Sequence, residues 1–210
     1  MDINQTEEQQ VEAIKKFWHD NGNAVIAGLV IGLGGFIGFN LYKDHKLEQE
    51  TQVADAYQSI VENAAQDSST FANSAKTFIA ENGDSSYVTL TAFALAKTAV
   101  DAKDWPEAEK QLTLAAEKAQ DAGIKSIALV RLARVLIQQE KYAEALAELG
   151  KSTPTSFLAS VEELKGDVYL AQGKKELARN AYQAALDADN QAGNQALQMK
   201  LDDLAESVNL

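Results

Sequence analysis

The chain contains no cysteine. That excludes disulfides, iron–sulfur ligation and thiol nucleophiles, and it fits either side of a bacterial membrane. Only two prolines occur, Pro106 and Pro154, so long helices meet few covalent breaks. Basic residues are in deficit, 19 against 31 acidic, for a net charge of −12. This balance argues against a nucleic-acid partner and against a surface held to anionic lipid. No stretch alternates as a strand would, and alanine, leucine, glutamine, glutamate and lysine dominate. These are good helix formers, so the fold class is all-α.

The chemistry of catalysis is also missing. The two histidines, His19 and His45, lie on opposite sides of the longest apolar run and cannot share a metal. Gly32, Gly34 and Gly38 imitate a phosphate loop but sit inside that run, with no preceding strand. Asp187 and Asp189 begin like a calcium loop, yet the obligatory glycine position is Ala192 and the bidentate acid position is Gln198. Adjacent acids, Glu162-Glu163 and Asp202-Asp203, diverge on a helix and face solvent. No catalytic constellation remains, and the reading is a non-enzyme without cofactor or metal.

What is present is one long apolar run. Ala24–Tyr42 carries no charge and a single amide, Asn40. As a helix it is about 28 Å long, close to the hydrocarbon thickness of a bilayer. It continues through Phe39, Asn40 and Leu41 into Lys43 without a small-residue cleavage pair, which predicts an uncleaved signal anchor. The expected organisation is a short amphipathic helix in 1–22, a transmembrane helix in 23–42, and a helical domain in 43–210. Val11, Ile14, Phe17 and Trp18 share one face of the first helix, opposite Glu12, Lys15 and Lys16. Asn21-Gly22-Asn23 reads as its stop. Charge does not set the orientation, because Lys15 and Lys16 before the span are matched by Lys43 and Lys46 after it. Within the span, Gly28, Gly32, Gly34, Gly35 and Gly38 fall in an arc of about 160°. They form a small-residue face on which another membrane helix could dock.

Beyond the span, helical patterns alternate with polar breaks at 67–69, 82–86, 121–123, 150–154 and 189–193. Gly166, Tyr169, Gly173, Ala178, Tyr182, Ala185 and Leu186 fall at positions 8, 11, 15, 20, 24, 27 and 28 of a tetratricopeptide repeat. Small residues at 8, 20 and 27 let paired helices approach. Ala133, Tyr142 and Ala145 align in a second unit, and Ala96, Trp105, Ala108 and Ala115 in another. A weaker hairpin spans 50–82, with Ala54 and Tyr57 facing Phe71, Ala75 and Phe78. Leu197, Leu201, Leu204 and Val208 form the single apolar stripe of a capping helix. Repeat positions 5, 9 and 12 line the concave side of such a solenoid. Here they are Phe93, Lys97 and Val100, then Val130, Arg134 and Ile137, then Glu163, Asp167 and Leu170. That surface is largely apolar with a few charges. It either holds a partner segment or is filled by the chain's own capping helix.

Several short runs, in order, resemble one bacterial family. They are Gln10–Trp18, closing at Asp20-Asn21-Gly22, the glycine-rich span, Ala54-Ala56-Tyr57, Val130–Val135, Leu164-Lys165-Gly166-Asp167, and Gln198-Met199-Lys200-Leu201 with Leu204. The arrangement resembles the YfgM family of ancillary SecYEG translocon subunits along nearly its full length. The resemblance implies a single-pass inner-membrane protein with its N-terminus in the cytoplasm and a tetratricopeptide-like periplasmic domain. It implies association with the SecYEG translocon and with a membrane-anchored periplasmic chaperone of the parvulin type, and the passing of exported polypeptides to periplasmic chaperones. The alternative function is an envelope scaffold or adaptor of another inner-membrane complex.

Overall fold

The computed structural model describes residues 7–64, 68–83, 85–151, 153–189 and 194–206, and no strand occurs among them. By contacts the chain divides into two units, Met1–Gln52 and Val53–Leu210.

The first unit is helical wherever it is described, as part of α1, Glu7–Ala64. The expected stop at Asn21-Gly22-Asn23 does not occur, because the helix passes straight through it. Asn21 Nδ2 donates to the Phe17 carbonyl at 3.2 Å, and Gly22 is buried against the Trp18 indole. An Asn-Gly pair ends a helix when one of them turns left-handed, and Gly173 is the only described glycine with positive φ. A glycine inside a helix costs about 1 kcal/mol. Freeing backbone amides beside an apolar run costs more. The side chains of the run point outward: Ile31 is 74% exposed, and Leu29, Leu33 and Phe36 are more than half exposed. α1 is the one described helix long and apolar enough to cross a membrane, with a mean hydropathy of 2.1 over its best window.

The second unit takes in the end of α1 and eight further α-helices among the described residues. These are α2 (Ser68–Glu81), α3 (Ser86–Asp101), α4 (Trp105–Lys118), α5 (Ala122–Gln138) and α6 (Tyr142–Leu149). A 3-10 turn at Thr155–Phe157 leads into α7 (Leu158–Ala171), α8 (Lys175–Ala188) and α9 (Gln195–Glu206). Ile60 at the end of α1 packs with Phe71, Ala75 and Phe78 of α2 and with Val88 and Leu95 of α3. Tyr57 joins them, its ring centroid 5.0 Å from Tyr87 and 6.5 Å from Phe78. Of the expected breaks, residues 67, 84, 152 and 190–193 lie outside the described residues, as does Val208. The break expected at 121–123 falls at 119–121: Asp121 ends it as the N-cap of α5, its carboxylate accepting from the Ile124 amide at 2.9 Å, so Ala122 and Gly123 form the first turn of the helix.

Helices α3–α4, α5–α6 and α7–α8 are three hairpins closed by the same turn. Lys103 and Glu140 (both φ 59°) and Gly173 (φ 73°) are left-handed. They recur at the intervals that separate Ala108, Ala145 and Ala178. In each turn the left-handed residue donates back three residues and its successor donates back five, for example Lys103 N to Val100 O at 2.9 Å and Asp104 N to Ala99 O at 2.8 Å. This is the Schellman closure of a helix. In the first turn Asp104 also starts the next helix, its carboxylate accepting from the Glu107 amide at 3.2 Å.

The small residues sit where these hairpins touch. Ala96, Ala133 and Gly166 are buried, and so are Ala108, Ala145, Ala178, Ala115 and Ala185. Gly166 is the extreme case, since a Cβ placed there would lie 2.3 Å from the buried Tyr182 ring.

The turns generate a direct test. Lys103 and Glu140 are exposed and pay the left-handed penalty that Gly173 avoids. Lys103→Gly and Glu140→Gly should each stabilise the domain by about 0.5–1 kcal/mol, and Gly173→Ala should destabilise it by a similar amount. Urea midpoints measure this. A fall for either glycine variant would show that the turn does not carry the strain.

Candidate partner-binding cleft

The faces of α3, α5 and α7 enclose a cleft of about 860 Å³. Its floor is buried: Ala96 of α3, Leu112 of α4, Val135 of α5 and Leu164 of α7. Half-buried Phe93, Val100, Trp105 and Ile137 form the walls. Lys97, Arg131, Arg134 and Gln138 stand exposed at the rim, and Asp167 closes one side.

Helical period explains the placement. Phe93, Lys97 and Val100 lie one turn apart on α3, as Arg134 and Ile137 do on α5. Six of the nine expected concave residues therefore line the cleft: Phe93, Lys97, Val100, Arg134, Ile137 and Asp167. The other three do not. Val130 is only 7% exposed and packs in the core between hairpins. Glu163 is held by Lys200 at 2.8 Å. Leu170, 42% exposed, is not part of the lining. The spacing did not assign Arg131, Trp105, Leu112 or Leu164 to the concave side. Arg131 was detectable, since it lies one turn before Arg134. Trp105 and Leu112 come from a second helix and converge only by packing.

Helix α9 contributes no residue to this lining. Its Leu197 and Leu204 instead pack on Ala178, Tyr182 and Ala185 of α8. One residue of α9 reaches toward the cleft: Lys200 donates to Asp167 Oδ1 at 2.7 Å. The buried Tyr182 hydroxyl donates to the same oxygen at 2.8 Å, and the Lys200 ammonium lies 5.4 Å from the Tyr182 ring centroid. Arg179 completes the attachment by donating to the Leu204 carbonyl at 3.1 Å. Burial, reinforced by the Asp167 carboxylate, pushes the Tyr182 hydroxyl well above its ordinary pKa. For Lys200, burial pulls downward, but the Asp167 and Glu163 carboxylates outweigh it and raise its pKa.

Outside this lining, Glu109 accepts from Lys141 and from Gln139, both at 2.7 Å. The Lys141 ammonium chiefly holds the Glu109 carboxyl below its usual range, against a smaller opposing effect of burial. No group of three or more metal-ligating side chains occurs among the described residues.

Repeated helical hairpins around an apolar concave cleft define a tetratricopeptide-type helical-repeat domain. The family described as tetratricopeptide repeat-like domain matches residues 15–206. The Escherichia coli (strain K12) protein named ancillary SecYEG translocon subunit is 31% identical over 206 residues, covering 98% of this chain and 100% of that one. The protein of the same name from Haemophilus influenzae is 30% identical, covering 94% and 97% of the two chains. The one from Neisseria gonorrhoeae is 34% identical with the same coverage. The chain belongs to the family of ancillary SecYEG translocon subunits.

Alkaline titration tests the attachment of α9. Tyr182 and Lys200 both have folded pKa values above their reference values of 10.0 and 10.5. Their stabilisation is complete below about pH 10 and is lost as pH rises through the raised native values. Tyr182 should resist ionisation and titrate together with loss of helicity, as read by phenolate absorbance and circular dichroism. Tyr182→Phe should remove that late step. Full tyrosine ionisation near pH 10 with helicity intact would refute the burial of Tyr182.

Proposed function

We propose that the protein is a non-enzymatic, membrane-anchored interaction module at the SecYEG translocon, linking exported polypeptides to periplasmic chaperones. Residues 23–42 would cross the inner membrane once, 1–22 would lie in the cytoplasm and 43–210 in the periplasm. The observation that carries this reading is the open apolar cleft of a tetratricopeptide-type domain in a chain that also bears an exposed membrane-length helix. The names of the relatives supply the translocon. A cleft with a buried apolar floor and half-buried aromatic and aliphatic walls suits an extended or helical segment bearing apolar side chains. That segment would come from a membrane-anchored parvulin-type chaperone or from an emerging exported chain.

A membrane-impermeant crosslinker applied to spheroplasts tests partner and orientation together. Reactive residues placed at Phe93 and Ile137 should capture translocon subunits or envelope chaperones before lysis. Phe93→Ala with Ile137→Ala should abolish partner capture by a crosslinker sited elsewhere on the domain at a temperature where circular dichroism shows the variant still folded. Reaction only after lysis would reverse the orientation. Capture of a different envelope complex would favour the adaptor alternative.

The glycine face of the span is proposed as the contact to a neighbouring membrane helix. Gly28, Gly32, Gly34, Gly35 and Gly38 each face open space, and a Cβ added at any of them would meet nothing within 4 Å. Small residues allow the close backbone approach that drives association in lipid. Gly28, Gly32 and Gly35 replaced by leucine should reduce recovery of membrane partners in mild detergent while preserving insertion. Undiminished recovery would leave the face without a role.

A further inference from the structure

The charge pattern of the cleft specifies more than apolar binding. The chain has three arginines, Arg131, Arg134 and Arg179, and two of them stand at this rim. Lys97, the third rim cation, is already paired with Asp101 at 2.7 Å. Asp167, the only acid in the lining, is occupied by Lys200 and Tyr182. The Arg131 guanidinium lies over the Phe93 ring, 5.0 Å from its centroid, within cation–π range. Arg134 is exposed and has no ion-pair partner among the described residues. The cleft thus presents two uncompensated guanidiniums over an apolar floor, in a chain whose net charge is −12.

We propose that the cleft selects a helical amphipathic segment whose acidic side chains sit between Arg131 and Arg134 while its apolar face fills the floor. This rests on the reading of the cleft as a partner surface. Arginine's planar fork matches a carboxylate bidentately, which lysine does not. The two guanidiniums are three residues apart on α5, about 4.5 Å along the helix axis. Carboxylates one turn apart on a partner helix have the same spacing.

The test uses the full chain in zwitterionic lipid nanodiscs, with empty nanodiscs as the blank. Fluorescent peptides of one leucine- and phenylalanine-based amphipathic helix carry a glutamate pair, a glutamine pair or a lysine pair one turn apart. Each is acetylated at its N-terminus and amidated at its C-terminus. Anisotropy should show the glutamate peptide binding at least about tenfold tighter than the glutamine peptide at low salt, with the lysine peptide weakest. High salt should shrink that margin. Arg134→Gln, and more so its combination with Arg131→Gln, should erase the preference, bringing the glutamate and glutamine peptides to the same affinity. Ile137→Ala should weaken the glutamate and glutamine peptides by the same factor.

Equal affinity for the glutamate and glutamine peptides, or a preference that survives both arginine substitutions, overturns the charge selection and leaves the apolar cleft. Binding that requires a free C-terminal carboxylate, in a fourth peptide, overturns the choice of an internal acidic side chain. Failure of every peptide to bind removes the cleft reading itself.

Discussion

The close approach of paired helices at their smallest residues is the contact on which the repeat domain depends. Where Ala96 or Ala133 is buried in its hairpin, Gly166 stands at the same repeat position in the third, with the Tyr182 ring against its backbone. A ring that near has its hydroxyl carried into the interior, and an unpaired buried hydroxyl is costly. Asp167 satisfies it, and the same carboxylate accepts from Lys200 of α9. One missing methyl group therefore leads, by contact, to the attachment of the terminal helix. Because α9 is held on α8, it leaves the concave side to Phe93, Val100 and Ile137.

The first unit has a different kind of surface. A water-soluble helix buries its apolar stripe, whereas the run Ala24–Tyr42 shows its large side chains outward and buries none of its most apolar window. Such a surface is stable against hydrocarbon, where every backbone group must be bonded within the helix.

Electrostatics divide the domain into attachment and opportunity. Lys200 and Lys141 are both drawn into carboxylates that tie one hairpin element to the next, Glu163 and Asp167 in one case and Glu109 in the other. Arg131 and Arg134 are not used in this way. Ions engaged in folding are withdrawn from recognition, so the unengaged pair marks where a partner's charge would be read.

Local signals in the sequence were enough for the membrane-length run, the all-α class and the hairpin repeat. Each rests on a run length or a period that neighbouring residues determine by themselves: the uncharged stretch from Ala24, the helical spacing of Phe93, Lys97 and Val100, and the small residues at Ala108, Ala145 and Ala178. Tertiary structure decided the rest. Lys103 and Glu140 adopt a left-handed conformation that no side-chain preference announces, because two packed helices leave the chain one geometry for the turn. Val130 has the spacing of a concave residue but is core, since the adjoining hairpin covers it. Glu163 and Asp167 look like free rim acids until Lys200, distant in sequence, is folded against them. The floor joins Leu112 and Leu164 from helices that share no local pattern. Periodicity assigns a face to each helix, but which faces converge depends on contacts between segments far apart in the chain.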